Sequence, residues 1–169
     1  VKSRVSAKVF AWVMGIVFHQ GGTISTVLTG TTVKPVSDKH KVAHEELAYV
    51  VDSTASPVAT IIPFNVWPIY IAGLIAIEPM AGMIGSEADG ITLFFQAIPY
   101  NFYAWIAVSM TLLFALDKLP LLGSPMSKVV ARVQASGELD SAHGSPISAT
   151  ELTDASVYPG YSPSIIDFI

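Results

Sequence analysis

The run Asp52-Ser53-Thr54-Ala55-Ser56-Pro57 sets one carboxylate beside three hydroxyls inside the otherwise apolar stretch 47–70. Hard oxygen donors of this kind suit alkali and alkaline-earth cations better than soft metals. Asp52, Ser53, Thr54 and Ser56 are therefore candidate ion-binding residues, with Asp52, Ser53 and Thr54 as ligands of a hard cation. An ionisable side chain within a membrane segment is a functional candidate by default. The structural alternative for Asp52 is a cap on the second half of a divided helix. Asn65, in the same stretch, either lines the path or joins two helices by hydrogen bonding.

A second group is His19-Gln20-Gly21-Gly22-Thr23, between two apolar arms. His19 is either a proton carrier or a hydrogen-bonding partner of a nearby backbone carbonyl. Gly21 and Gly22 permit tight turning. His40, His44, Glu45 and Glu46 suggest a metal cluster, but a solvated face is the commoner arrangement for such a run. The chain carries no Ser-His-Asp constellation, Walker loop or dinucleotide fingerprint, so nothing marks it as an enzyme, and no cofactor is expected beyond transported ions.

The elements that must position these residues follow from charge spacing. The 169 residues are 51% hydrophobic and 13% charged, with a mean hydropathy of +0.55. Soluble domains carry about 25% charged residues. Runs of 25, 25 and 27 residues between Lys8 and Lys34, Asp52 and Glu78, and Asp89 and Asp117 contain no Asp, Glu, Lys or Arg. About 20 apolar residues cross a bilayer core. An all-α polytopic membrane protein follows. No cysteine is present, which excludes disulfides and Cys-based metal sites, and a net charge of −4 argues against a nucleic-acid partner.

Lys2, Arg4 and Lys8 flank one end of residues 9–33, and Lys34, Lys39 and Lys41 flank the other. Like flanks at both ends predict a re-entrant hairpin with its tip at His19–Gly22, and not a plain span. Residues 34–46 read as a polar connector on the cytoplasmic side, with Ser37 as a cap for a short helix. Residues 47–77 read as a broken helix, because Pro57 removes a backbone donor and opens the chain behind Asp52–Ser56. Residues 78–90 form the opposite loop, and 91–116 return in one span, kinked or started at Pro99. Tyr100, Tyr103 and Trp105 form either an interfacial belt or ordinary packing. Residues 1–116 thus make a transmembrane domain and 117–162 a cytoplasmic linker. Within the linker, Val129, Val130 and Val133 line one face of a short amphipathic helix. Residues 163–169 begin a further membrane helix, and the whole reads as an internal piece of a longer protein.

The stretch GTTVKPVSDKHKVAHEELAYVVDSTASPVATIIPFNVWPIY resembles a segment of NhaC-type sodium/proton antiporters. QAIPYNFYAW and GSPMSKVVARVQASGEL resemble later segments of that family. The resemblance covers most of residues 9–140. It implies a secondary transporter that works by alternating access, in the cell membrane, with a sodium ion and a proton competing for Asp52. One departure stands out: that family carries an acidic pair where this chain reads Phe18-His19-Gln20-Gly21-Gly22. The resemblance therefore carries over to Asp52–Pro57 and not to the hairpin tip. The other readings are a proton- or sodium-coupled carrier of an organic anion or amino acid, with the tip contacting the solute, and a non-transporting membrane interaction protein. The implied partners are the lipid bilayer, Na+ and H+ or a small organic solute, the remainder of the same polypeptide and, as an assembly, a homo-oligomer.

Overall fold

A computed structural model of the chain describes residues 1–77, 86–119 and 123–141. These residues are all-α: α1 (Arg4–Val17), α2 (Gly22–Lys39), α3 (His44–Ile61), α4 (Val66–Ile77), α5 (Glu87–Ala97), a single 3-10 turn (Ile98–Tyr100), α6 (Phe102–Ala115) and α7 (Ser124–Ser136). The seven helices belong to one unit, Val1–Leu139; Asp140–Ile169 form a second. The linker expected from residue 117 onward thus contributes α7 to the first unit, with Val133 buried. Most of the loop 78–90 and all of 163–169 lie outside the described residues.

Each end of these helices has a local cause. Ser3 caps α1 by accepting from the Ser6 N–H, and Ser6 returns the bond by accepting from the Ser3 N–H. α1 stops at Phe18, and Gly21, at φ +140, turns the chain into α2. α1 and α2 pack on each other and both pack on α3. α2 continues through Pro35 to Lys39, so the first part of the expected connector is helical. Ser37 is buried there and donates to the Val33 carbonyl at 3.2 Å, which replaces the expected capping role.

The division of residues 47–77 falls one turn later than Pro57 predicts. α3 runs unbroken through Asp52–Ser56 and Pro57 and ends at Ile61. Pro57 leaves the Ser53 carbonyl without its helical donor. That carbonyl faces α6, where the Thr111 hydroxyl stands 3.4 Å away while bonding its own Ala107 carbonyl at 2.7 Å. The actual break is at 62–65, where Pro63 deprives the Ala59 carbonyl of a donor. The Asn65 side-chain amide takes over, at 2.8 Å from Ala59 O and 2.6 Å from Ile62 O, and its oxygen accepts from the Trp67 N–H at 2.8 Å.

Residues 91–116 are likewise divided, between α5 and α6. The chain bends by 50° between α5 and α6 and by 60° between α3 and α4. No single described helix is long and apolar enough to cross a membrane; each bent pair passes that test of length and composition as a pair. The pairs lie side by side, α3 on α6 and α4 on α5. At Gly90 the α4–α5 approach is so close that a Cβ would sit 2.9 Å from the Ala72 Cα. Asn101 caps α6 by accepting from the Ala104 N–H, and its amide donates to the Thr60 hydroxyl at 2.9 Å, so the second break is tied to α3 just before the first.

Burial runs opposite to the usual pattern of a water-facing helix. On α2 the buried residues are Ser25, Thr29, Val33 and Ser37, while Ile24, Val27 and Leu28 are exposed. α6 buries Ala104, Thr111, Phe114 and Ala115 and exposes Phe102, Tyr103, Trp105, Ile106, Met110 and Leu113. Small residues mediate most of the helix contact here, Phe114 being the large exception, and the other large apolar residues named point away from it.

Candidate functional site

A continuous α3 advances about 100° per residue. The four candidates at 52–56 are therefore spread around the helix and not gathered. Thr54 is fully buried against α1: a Cβ on Gly15 would lie 3.0 Å from its Cγ2, and its hydroxyl donates to the Val50 carbonyl at 2.6 Å. Ser53 is half-buried on the α6 side, in a groove of about 340 Å³ shared with Tyr49, Tyr103, Met110 and Thr111. Asp52 and Ser56 are exposed, one turn apart, on a third face with Ala48. The cation-ligand set Asp52, Ser53 and Thr54 is thus not assembled on this chain. What the helix presents outward is one carboxylate and one hydroxyl at i and i+4 spacing.

Asn65 is spent on the break, with both halves of its amide bonded. At the tip, the His19 Nδ1 lies 3.0 Å from the Ile16 carbonyl and 3.2 Å from that of Val17, which closes the end of α1 and takes the Nδ1–H tautomer. Gln20 and Thr23 are exposed, and the Gly21 N–H donates to the Ser25 hydroxyl at 3.1 Å. A Cβ on Gly21 would come within 3.6 Å of the Val66 side chain, so the α1–α2 bend lies against the start of α4. The three breaks, 18–21, 62–65 and 98–101, gather at one end of α1, α3 and α6.

The opposite end is polar. All nine Lys and Arg are on its segments: Lys2 and the start of α1, the second half of α2 with Lys41, Lys118 just beyond α6, and α7. Glu46, read from the sequence as part of a solvated face, is instead fully buried. Its carboxylate pairs with Arg4, accepts from the Ala43 N–H at 3.2 Å and faces Lys8 Nζ at 3.6 Å. The Lys8 side chain is 1% exposed; it bonds Asp117 and lies over the Phe114 ring at 5.1 Å. Glu45 holds Arg132 of α7 through two contacts of 2.8 and 2.9 Å, and His44 meets Asp38 at 2.9 Å. These pairings engage His44, Glu45 and Glu46 of the suggested metal cluster, and among the described residues no group of three or more His, Cys, Asp or Glu is placed to hold a metal ion.

The pairing of Arg4 and Lys8 with Glu46 and Asp117 was hidden in the sequence because the partners are 38 to 109 positions apart. A usable signal was nevertheless present. Lys8 and Asp117 sit at the borders of two long uncharged runs, where flanking charges from different segments are brought to a common level.

No family model matches the chain, and no solved structure matches it. It is similar to an uncharacterized protein of Haemophilus influenzae, with 32% identity over 110 residues, 65% of this chain. The chain spans about a fifth of that relative, 21% of its length.

Proposed function

We propose that this chain is part of a secondary active membrane transporter, exchanging a sodium-class cation for protons by alternating access, in line with its resemblance to NhaC-type antiporters. The observation that carries the reading is the reversed burial of α2 and α6, with Ser25, Thr29 and Thr111 inside and Ile24, Leu28, Ile106 and Met110 outside. Association of helices in lipid favours small residues at contacts, because lipid tails solvate large apolar side chains as well as protein does. The two bent helix pairs with adjoining breaks support it as well. Non-helical backbone is tolerated at membrane depth where it is buried in protein or lines a cavity, and in transporters it lies near the transported ion.

Asp52 and Ser56 are the transport residues in this reading. Both are exposed on the described helices, and the H. influenzae relative is much longer than this chain; in this reading further polypeptide packs on that face and supplies the remaining oxygen ligands. Thr54 and Asn65 act structurally. A cation and a proton compete for the Asp52 carboxylate, and the competition couples the two fluxes. The test is a sodium-driven pH change in proteoliposomes holding the full-length protein. A pH gradient that is built up by an imposed sodium gradient and lost in Asp52→Asn supports the reading. Incorporated, folded protein without cation-dependent proton movement defeats it.

A further inference from the structure

The Lys8 ammonium has two carboxylates within reach and hydrogen-bonds only one. Its Nζ bonds Asp117 and lies 3.4 Å from the Phe114 carbonyl. Glu46 Oε1, 3.6 Å away on the other side, is buried and has no hydrogen-bond donor, while Oε2 of the same carboxylate is taken by Arg4 and the Ala43 N–H. The two carboxylates differ in setting. Glu46 is sealed at the start of α3, whereas the Asp117 side chain is 43% exposed just beyond the end of α6.

Asp117 is also strained. Its φ of +55 lies in the left-handed region, in the turn where its N–H bonds Phe114 O and the Lys118 N–H bonds Leu113 O. Glycine is the residue that closes such a helix end without strain. An aspartate in this place holds its carboxylate on Lys8 against the local backbone preference.

We propose that the Lys8–Asp117 pair is the closing contact of a gate at the polar end, and that Glu46 is the second seat for the Lys8 ammonium. When the end of α6 withdraws, the Asp117 carboxylate passes into water and its left-handed turn is free to relax. Lys8 tilts onto Glu46 Oε1, so neither buried charge is left without a partner, which is the condition that makes rupture of a buried pair tolerable. Arg4 keeps Glu46 in place throughout. The α6 end then parts from α1 and α3 without disturbing the Asn101–Thr60 tie at its other end. The purpose of such a gate rests on the alternating-access reading; its existence is tested without any transport measurement.

The experiment uses the full-length protein in lipid nanodiscs, cleared of other cysteines, with Ala115→Cys or Ala7→Cys as reporters near the gate and Ala104→Cys as a reference at the far end of α6. All three alanines are fully buried. Asp117→Gly keeps the left-handed turn and removes the carboxylate; Asp117→Asn keeps the shape and removes the charge. The expected result is maleimide labelling about tenfold faster at both reporters in each variant, with the Ala104→Cys rate and the unfolding midpoint unchanged, the signature of local opening. Unchanged labelling at both reporters overturns the proposal. So does a rise at all three positions with a lowered midpoint, which would make the pair a static brace. Gate opening in a protein that moves no ions would leave this inference standing and remove the transport reading.

Discussion

The Asn101 side-chain amide donates to the Thr60 hydroxyl at 2.9 Å, and Thr60 in turn donates to the Pro57 carbonyl at 2.8 Å. One short chain of hydrogen bonds thus joins the break between α5 and α6 to the last turn of α3. It sets both breaks at one level and makes their positions mutually dependent.

Asn65 is the sharper test of how a break is held. Asn65→Ala leaves the Ala59 and Ile62 carbonyls and the Trp67 N–H without their present partner. The expected loss is about 1–3 kcal/mol of stability, the penalty for unpaired half-buried polar groups. Asn65→Asp keeps the acceptor for Trp67 but turns a carboxylate oxygen toward two carbonyls, and should be no better than alanine. Denaturant titration of both variants checks this, and wild-type stability in Asn65→Asp would show that the amide does not bridge the break.

Glu46 should be among the least replaceable residues of the polar end. Glu46→Ala strips the partner of Arg4, the second partner of Lys8 and the acceptor for the Ala43 N–H. Breaking a buried pair from one side costs about 3–5 kcal/mol. Lys8→Met, which leaves Glu46 paired with Arg4, should cost less. Thermal unfolding of the two variants gives the order, and equal costs would contradict the arrangement described.

Two glycines differ in what stands opposite them. Gly90→Ala pushes a methyl group onto the backbone of Ala72, which moves only with the whole of α4; Gly15→Ala meets the Thr54 side chain. Overpacking of this kind costs about 1–3 kcal/mol. Thr54→Ser, by removing Cγ2, should restore part of the loss in Gly15→Ala, and no serine is available to relieve Gly90→Ala. A double-mutant cycle between positions 15 and 54 measures the coupling, and additive effects would place the two residues apart.

For transport, geometry separates residues that spacing alone grouped. Asp52→Asn should abolish coupled exchange with little effect on unfolding, because the side chain is exposed. Ser56→Ala should raise the apparent KM for the cation. Thr54→Ala should lower stability and leave KM unchanged, since its hydroxyl is committed to Val50. Flux assays at matched incorporation, paired with unfolding curves, distinguish these; exchange in Asp52→Asn at the wild-type rate would remove Asp52 from the mechanism.

Orientation is open to chemical labelling. Ser3→Cys and Lys39→Cys are exposed at the polar end and should react with an impermeant thiol reagent from one side of the membrane, and Ser86→Cys from the other. Labelling of positions 3 and 39 from opposite sides would turn α1 and α2 into a plain span.

What the sequence by itself determined is the helical class, the bend at His19–Gly22 and the confinement of charge to the borders of three long uncharged runs. These depend on local chemistry: glycine backbone freedom, and the exclusion of charge from long apolar segments. The tertiary structure alone decided where the helices break and how Asp52–Ser56 are spread around α3. Pro57 and Pro63 each remove one donor, and nothing in the local sequence says which loss ends the helix. The outcome rests on partners, because α6 places Thr111 beside the carbonyl that Pro57 frees, while Asn65 satisfies the carbonyl freed by Pro63 only in a turned chain. The same holds for Lys8, Glu46 and Asp117. The burial of Lys8 and Glu46 depends on counter-charges brought together across α1, α3 and α6, Asp117 itself staying partly exposed, and a charge read singly along the chain looks solvated until its counter-charge arrives from a distant segment.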